Sequence, residues 1–226
     1  MLYHNNVWIY KDFLTNAECE VVHATAEKHE LMSGRIGYKN NDPDAPPKTD
    51  GQQNSEIRQS DVRWIPHNSF VEEISQKIED GINSANREAG WNLHWDQPES
   101  HQYTIYHHRP EAEVKGDHYT WHIDSSPDWQ GQGERIRKLS STLQLSDPND
   151  YEGGHFQYIN PNGIFDKLKR NEEWVDMQQH ITTVPFSAKS KGTLIVFPSH
   201  TYHQVTPVTR GTRISLVSWF HGPKHV

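Results

Sequence analysis

His122 and Asp124 lie two residues apart, and His203 lies far downstream. On a strand, residues two apart share a face, so an imidazole and a carboxylate can converge on one ion. By itself this pair is a weak signal, because a chain with sixteen His produces such spacings by accident. His203 strengthens it. The stretch from Gly192 to Pro198 reads as a strand, and a turn and a second strand would return His203 to the first pair. Two His and one carboxylate on one side of a ferrous ion leave its other positions open for ligands and oxygen. His200, in the turn, and His221, at the end of the next strand, compete for the third place and rank below His203.

Arg213 follows ten positions after His203. Alternation along 211–220 puts Arg213, Ser215, Val217 and Trp219 on one face, with Ile214, Leu216 and Phe220 on the other. An Arg opposite an apolar face needs an anion, because an unpaired buried charge is costly. A planar guanidinium matches a carboxylate through two parallel hydrogen bonds. The plainer alternative is an internal Asp or Glu as its partner. The stretch 138–145 splits in the same way. Leu139, Ser141, Leu143 and Leu145 face one side; Ser140, Thr142 and Gln144 face the other. A polar inward face suits a barrel lumen holding a polar ligand, where Gln144 and Tyr106 could supply further hydrogen bonds. Exposure to solvent would explain the same pattern.

The elements that must position these residues follow from pattern. Val7 to Phe13 alternates as a short strand. Thr15 and Glu18 form a capping box for a helix running to about His29. Residues 33–55 are rich in Gly, Asn, Asp, Pro and Lys, which fits either a mobile lid or an idle surface loop. Ile57 to Ile65 reads as a strand. Ser69 and Glu72 predict a second capping box, ahead of Phe70, Ile74, Ile78, Ile82 and Ala85 at helical spacing, with Gly90 as the stop. From Trp91 the period changes to two, with strands expected at 91–96, 101–107, 117–124, 138–145, 154–159, 181–186, 192–198, 202–208 and 211–220. The insertion 161–179 could hold a short helix around Phe165, Leu168 and Trp174. These elements predict a mainly β fold with flanking helices, a jelly-roll barrel with N-terminal helices packed on one sheet. One domain is expected over 1–226, with 1–90 as support and 91–221 as the barrel.

Bulk properties narrow the function. The chain has 226 residues, 33% hydrophobic and 23% charged, with eight Trp and nine Tyr, so aromatics supply much of the core and pocket. A net charge of −8 argues against nucleic acid or an anionic membrane as partner. The basic group Arg135, Arg137 and Lys138 reads as a solvated strand approach. The single Cys19 excludes an internal disulfide and reads as a buried helix residue. With no signal-peptide pattern and no long apolar run, a cytoplasmic location is expected.

The stretches "HYTWHID", "KLSSTLQLSDPNDYEGGHF" and "GTLIVFPSHTYHQVTPVTRGTRISLVSWF", with "EIRQSDVRWI" and "WIYKDFLTNAECE", resemble the prolyl 4-hydroxylase-type 2-oxoglutarate oxygenases, bacterial and phage members in particular. The resemblance covers most of the chain. It implies a double-stranded β-helix in which His122, Asp124 and His203 hold Fe(II). It implies Arg213, with Ser215, at the distal carboxylate of 2-oxoglutarate. Tyr106 would sit near the metal, with Trp219 and Val205 lining the pocket. Gln144 occupies a position where some members have a cosubstrate-binding Tyr. Tyr103 and Tyr119 are alternatives to Tyr106, because the segment before His122 is longer than in the short family pattern. The implied reaction is hydroxylation coupled to decarboxylation of 2-oxoglutarate to succinate, using O2, with ascorbate as a further candidate cofactor. The implied substrate is a prolyl residue in a peptide or protein. A small-molecule substrate at the same iron site is the alternative, and a non-oxygenase cupin-like metal enzyme ranks below both. Asp124 favours hydroxylation over halogenation, since related halogenases lack this carboxylate. The oligomeric state is left open.

Overall fold

A computed structural model describes residues 6–36, 53–111, 116–125, 135–160 and 177–224. Two helices precede the main run of strands. Helix α1 (Asn16–Ala26) starts at the expected capping box: the Thr15 hydroxyl accepts from the Glu18 amide, and the Glu18 carboxylate accepts from the Thr15 amide. Such a cap contributes about 1 kcal/mol. Helix α2 (Glu72–Glu88) buries Ile74, Ile78, Ile82 and Ala85 along one stripe. Gly90, at φ +74°, turns the chain in the left-handed region just beyond its end.

The strands are β1 (Trp8–Tyr10), β2 (Met32–Ser33), β3 (Arg58–Gln59), β4 (Asp61–Ile65), β5 (Gln97–Pro98), β6 (His101–His107) and β7 (His118–His122). They continue with β8 (Arg135–Gln144), β9 (Tyr151–Gly153), β10 (Phe156–Ile159), β11 (Ile181–Thr183), β12 (Leu194–Pro198), β13 (His203–Val205) and β14 (Val208–Pro223). Among the described residues the larger sheet runs β1-β12-β8-β14-β6-β4-β2, with β5 and β9 also paired to β14. The smaller sheet runs β11-β10-β13-β7-β3. All these pairings are antiparallel. The fold is the expected double-stranded β-helix, or jelly roll.

Alternation divides the larger sheet into two working faces. Leu139, Leu143, Leu216, Phe220 and Tyr103 join Val22, Ala26, Ile74, Ile78 and Ile82 in the main core, so both helices pack on that face. Full burial of each Leu or Ile contributes about 1.5–3 kcal/mol. The opposite face carries Arg213, Ser215, Val217 and Trp219 beside Gln144, Thr142 and Ser140, their registered neighbours on β8. Cys19 is buried in α1, as expected.

Several expectations need correction. The Ser69–Glu72 capping box does not form: His67–Ser69 is a 3-10 turn, Ser69 bonds Asn68, and α2 starts after Val71 without a side-chain cap. Helix α1 ends at Ala26, short of His29. The alternating segment 91–96 is not a strand. Asn86 grips it instead, bonding both the amide and the carbonyl of Leu93. The stretch 57–65 is two strands, β3 in the smaller sheet and β4 in the larger, with Ser60 at the crossing. Arg137 and Lys138 are buried or nearly so, not solvated. The proposed lid falls largely on 37–52 and the short insertion helix on 161–176; both stretches lie outside the described residues.

Candidate metal centre and its pocket

His122 ends β7 and His203 begins β13, and the two are paired neighbours in the smaller sheet. Their ring centroids are 4.2 Å apart. Asp124 arrives by another route than strand alternation. Strand β7 stops at His122, and the amides of Asp124 and Ser125 both bond the Ser199 carbonyl, at 2.9 and 3.1 Å. The turn before β13 therefore fixes the carboxylate. Its oxygens lie 3.5 Å from His122 Nε2 and 3.8 Å from His203 Nε2. One ligand atom from each of the three residues falls within 4.8 Å of the others, which leaves room for one ion between them.

Second contacts settle which nitrogens are free. His122 Nδ1 lies 2.7 Å from the Thr120 carbonyl, and His203 Nδ1 lies 2.8 Å from the Thr201 carbonyl. A carbonyl only accepts, so each Nδ1 carries the proton and each Nε2 presents a lone pair toward Asp124. Burial, together with His122, lowers the His203 pKa to about 4, so the ring is neutral at pH 7. Burial alone would raise the Asp124 carboxyl, but His203 and His122 outweigh it and hold it well below the usual range. Two imidazoles with Nε2 turned inward and one ionised carboxylate form a donor set for a divalent cation.

Arg213 is among the largest fully buried side chains, at 2% exposure. Its Nη1 donates to Ser215 Oγ at 3.2 Å and its Nη2 to Gln144 Oε1 at 3.0 Å. Both partners are neutral, and no carboxylate among the described residues lies within ion-pair distance of it. The plainer alternative of an internal Asp or Glu is therefore not what these residues show. Gln144 holds the guanidinium rather than standing apart from it.

The pocket joining Arg213 to the triad is lined by Tyr106, Thr142, Val205, Val217 and Trp219, among others. Tyr106 is buried on the pocket face, its ring centroid 5.5 Å from the Arg213 guanidinium carbon. Tyr103 is one strand face away, bonding His23 at 2.7 Å, and so is excluded. Tyr119 stacks on His122. Trp219 lies between Trp64, with centroids 5.9 Å apart, and Arg137, whose guanidinium carbon is 4.0 Å from its ring centroid. Arg137 is itself held by Glu99 at 2.5 and 2.8 Å, and His221 also reaches Glu99 at 2.5 Å. Neither His221 nor the exposed His200 belongs to the triad.

Sequence reading missed Arg58. It is buried, lines the same pocket and lies 4.8 Å from the Tyr119 ring centroid. Its donors meet Ser60, Gln102 and the Arg35 carbonyl, all neutral. Two guanidinium groups and one carboxylate therefore face this pocket. Phe156 and Phe197, also unremarked in the sequence, pack on His203 with centroids 5.3 and 4.7 Å away.

Residues 91–221 match the sequence profile of the 2OG-Fe(II) oxygenase superfamily. A PKHD-type hydroxylase of Nitrobacter winogradskyi is 38% identical over 105 residues, covering 46% of this chain and 36% of the relative. A second, from Pseudomonas paraeruginosa, is 35% identical over 106 residues, covering 46% of this chain and 38% of the relative. The matched stretch is thus little more than a third of those relatives' length. Among solved structures, a prolyl hydroxylase of Trichoplax adhaerens, in complex with a hypoxia inducible factor peptide fragment, superposes with a TM-score of 0.63 at 16% identity. That alignment covers 96% of this chain and 84% of the other. The viral collagen prolyl hydroxylase of Paramecium Bursaria Chlorella virus-1 gives 0.58 at 18% identity, covering 97% of both. At such identity the likeness is one of fold.

Proposed function

Because the chain belongs to the 2OG-Fe(II) oxygenase superfamily, we propose that it is a hydroxylase coupling decarboxylation of 2-oxoglutarate to hydroxylation of a C–H bond in a prolyl residue of a peptide or protein. His122, Asp124 and His203 would hold Fe(II), which supplies the oxygen chemistry when bound. Arg213, steadied by Ser215 and Gln144, would take the distal carboxylate of 2-oxoglutarate. The buried Arg213, with no carboxylate partner among the described residues, carries this reading, because a buried cation of this kind calls for an anion. A zinc or manganese hydrolase on the same barrel has no use for it.

The chain's own residues orient and exclude. The Thr120 and Thr201 carbonyls hold the two imidazoles with Nε2 inward. Phe156, Phe197 and Val205 keep water from the His203 side, which strengthens every charge interaction inside. Tyr106, Tyr119, Val205, Val217 and Trp219 line the pocket with apolar surface against which a pyrrolidine ring could pack. The hydroxylase names of the relatives and the prolyl hydroxylase neighbours support this substrate class. Arg58 favours a second reading. Its uncompensated charge in the pocket suits a small substrate carrying its own carboxylate.

Anaerobic protein with ferrous iron and 2-oxoglutarate should develop a weak visible charge-transfer band. Peptides containing proline should then gain the mass of one oxygen on aeration. Absence of the band would sink the oxygenase reading. A band accompanied by oxidation of small acids, with no peptide oxidised, would move the substrate to the second reading.

A further inference from the structure

Lys189 lies at the end of a 3-10 turn, Phe186–Lys189, between β11 and β12. Its neighbour in the turn, Phe186, is 64% exposed, yet Lys189 is only 5% exposed. A surface lysine ordinarily lays its stem on the protein and keeps its ammonium in water. This one turns inward. Its Nζ donates to the Gly153 carbonyl at 2.9 Å and lies 4.1 Å from the centroid of the Tyr151 ring. No carboxylate among the described residues is within ion-pair distance. Glu152, next to Gly153, is engaged by Arg210 at 2.8 Å instead.

Tyr151 is buried with Tyr106, Val205 and Val208; burial raises its phenol pKa, and the nearby Arg213 guanidinium offsets part of that rise. Gly154 sits against both: a Cβ there would lie 2.8 Å from Arg213 Cδ and 3.4 Å from Tyr151 Cε2. The Lys189 ammonium thus lies over the Tyr151 ring, and that ring and the Arg213 side chain meet at Gly154, with no carboxylate among the described residues in ion-pair range of either cation. A cation over a ring face is attracted by its quadrupole, which holds Lys189 in place without neutralising it.

We infer that Lys189 is a positioning residue for the cosubstrate anchor: it braces Tyr151 against Arg213 and adds its own charge to the attraction on the distal carboxylate. This rests on Arg213 being that anchor. Lys189 touches no ligand itself. It acts through Tyr151 by contact and through space by charge, in surroundings where screening by water is poor.

The test is calorimetric titration of Mn(II)-loaded protein with 2-oxoglutarate and with 2-oxopentanoate, which has the same chelating end and no distal carboxylate. Lys189→Met is expected to weaken 2-oxoglutarate binding about three- to tenfold. It should leave 2-oxopentanoate unchanged, and Lys189→Arg should restore most of the loss. Tyr151→Phe, which keeps the ring and removes the hydroxyl, should show the same selective weakening, and decides the matter if Lys189→Met does not fold. Equal weakening of both ligands would mean a merely structural role and overturn the inference, as would unchanged affinity. Arg213→Met separates the two levels. If it abolishes the preference for 2-oxoglutarate while Lys189→Met has no effect, only this inference falls. If it leaves the preference intact, the anchor assignment falls and takes this inference with it.

Discussion

The phenol ring of Tyr119 lies flat on the imidazole of His122, with centroids 3.5 Å apart and planes 12° from parallel. The stack fixes the ring plane of a candidate metal ligand whose Nδ1 faces the Thr120 carbonyl. Removing such outer support commonly costs about 10–100-fold in metal affinity. Tyr119→Leu should therefore weaken Fe(II) or Mn(II) binding by about tenfold. Tyr119→Phe, which keeps the face, should bind nearly as wild type. Metal titration of both variants checks this, and equal affinities for Leu and wild type would remove the role.

Asp124 is the anionic member of the triad. Asp124→Ala should abolish iron-dependent succinate formation while leaving the fold intact, because the backbone bonds to Ser199 involve amides and not the lost side chain. Succinate assay and thermal melting together test it. Retained succinate production would place the metal elsewhere.

Arg213→Met should act mainly on the cosubstrate. Hydrogen bonds to charged groups are worth roughly 1.5–3 kcal/mol, so the KM for 2-oxoglutarate should rise on the order of 10–100-fold. Substrate KM should change little. Steady-state assays varying each component in turn would show the split, and an unmoved 2-oxoglutarate KM would mean another residue is the anchor.

His101 supplies a pH signature away from the metal. It is buried against Phe70 and His67, with Nδ1 2.7 Å from Ser218 Oγ. Burial, helped by His67, lowers its pKa from the usual 6.5 to about 3. The unfolded chain thus binds a proton that the folded one refuses. Stability from this group is complete above pH 6.5 and declines as pH falls toward 3. At pH 5 the loss amounts to about 2 kcal/mol. Urea denaturation at pH 7 and pH 5 should show that loss, and His101→Gln should flatten the slope between them. An unaltered slope in the variant would show that another group carries the acid sensitivity.

His122, His203 and Arg213 were legible because strand spacing and parity carry that information, whereas Asp124, beyond the end of its strand, is set by the turn at Ser199. His203 returns through a turn to His122, and Arg213, Ser215 and Trp219 share the face that alternation assigned them. Parity also separates Tyr106 from Tyr103, although sequence alone left both open. Arg58 was illegible. The stretch holding it reads as one strand, but the chain crosses between sheets at Ser60, and only that crossing brings Arg58 beside Tyr119. Arg137 was misread for a related reason: its partner Glu99 lies on a distant segment, so local polarity suggested solvent. Lys189 gave no signal at all, since nothing in "FSAKSKG" distinguishes a lysine that turns inward from one that does not.

Strand β14 binds the helices with one face and the pocket with the other. Its pairing with β8 and β6 therefore sets chemistry and cohesion by the same count of residues. A slip of one position would drive Arg213 into hydrocarbon and turn Leu216 into the pocket, so a misaligned chain could not persist as a folded but inactive species. Any selection that preserves the packing of this strand preserves the aim of its guanidinium as well.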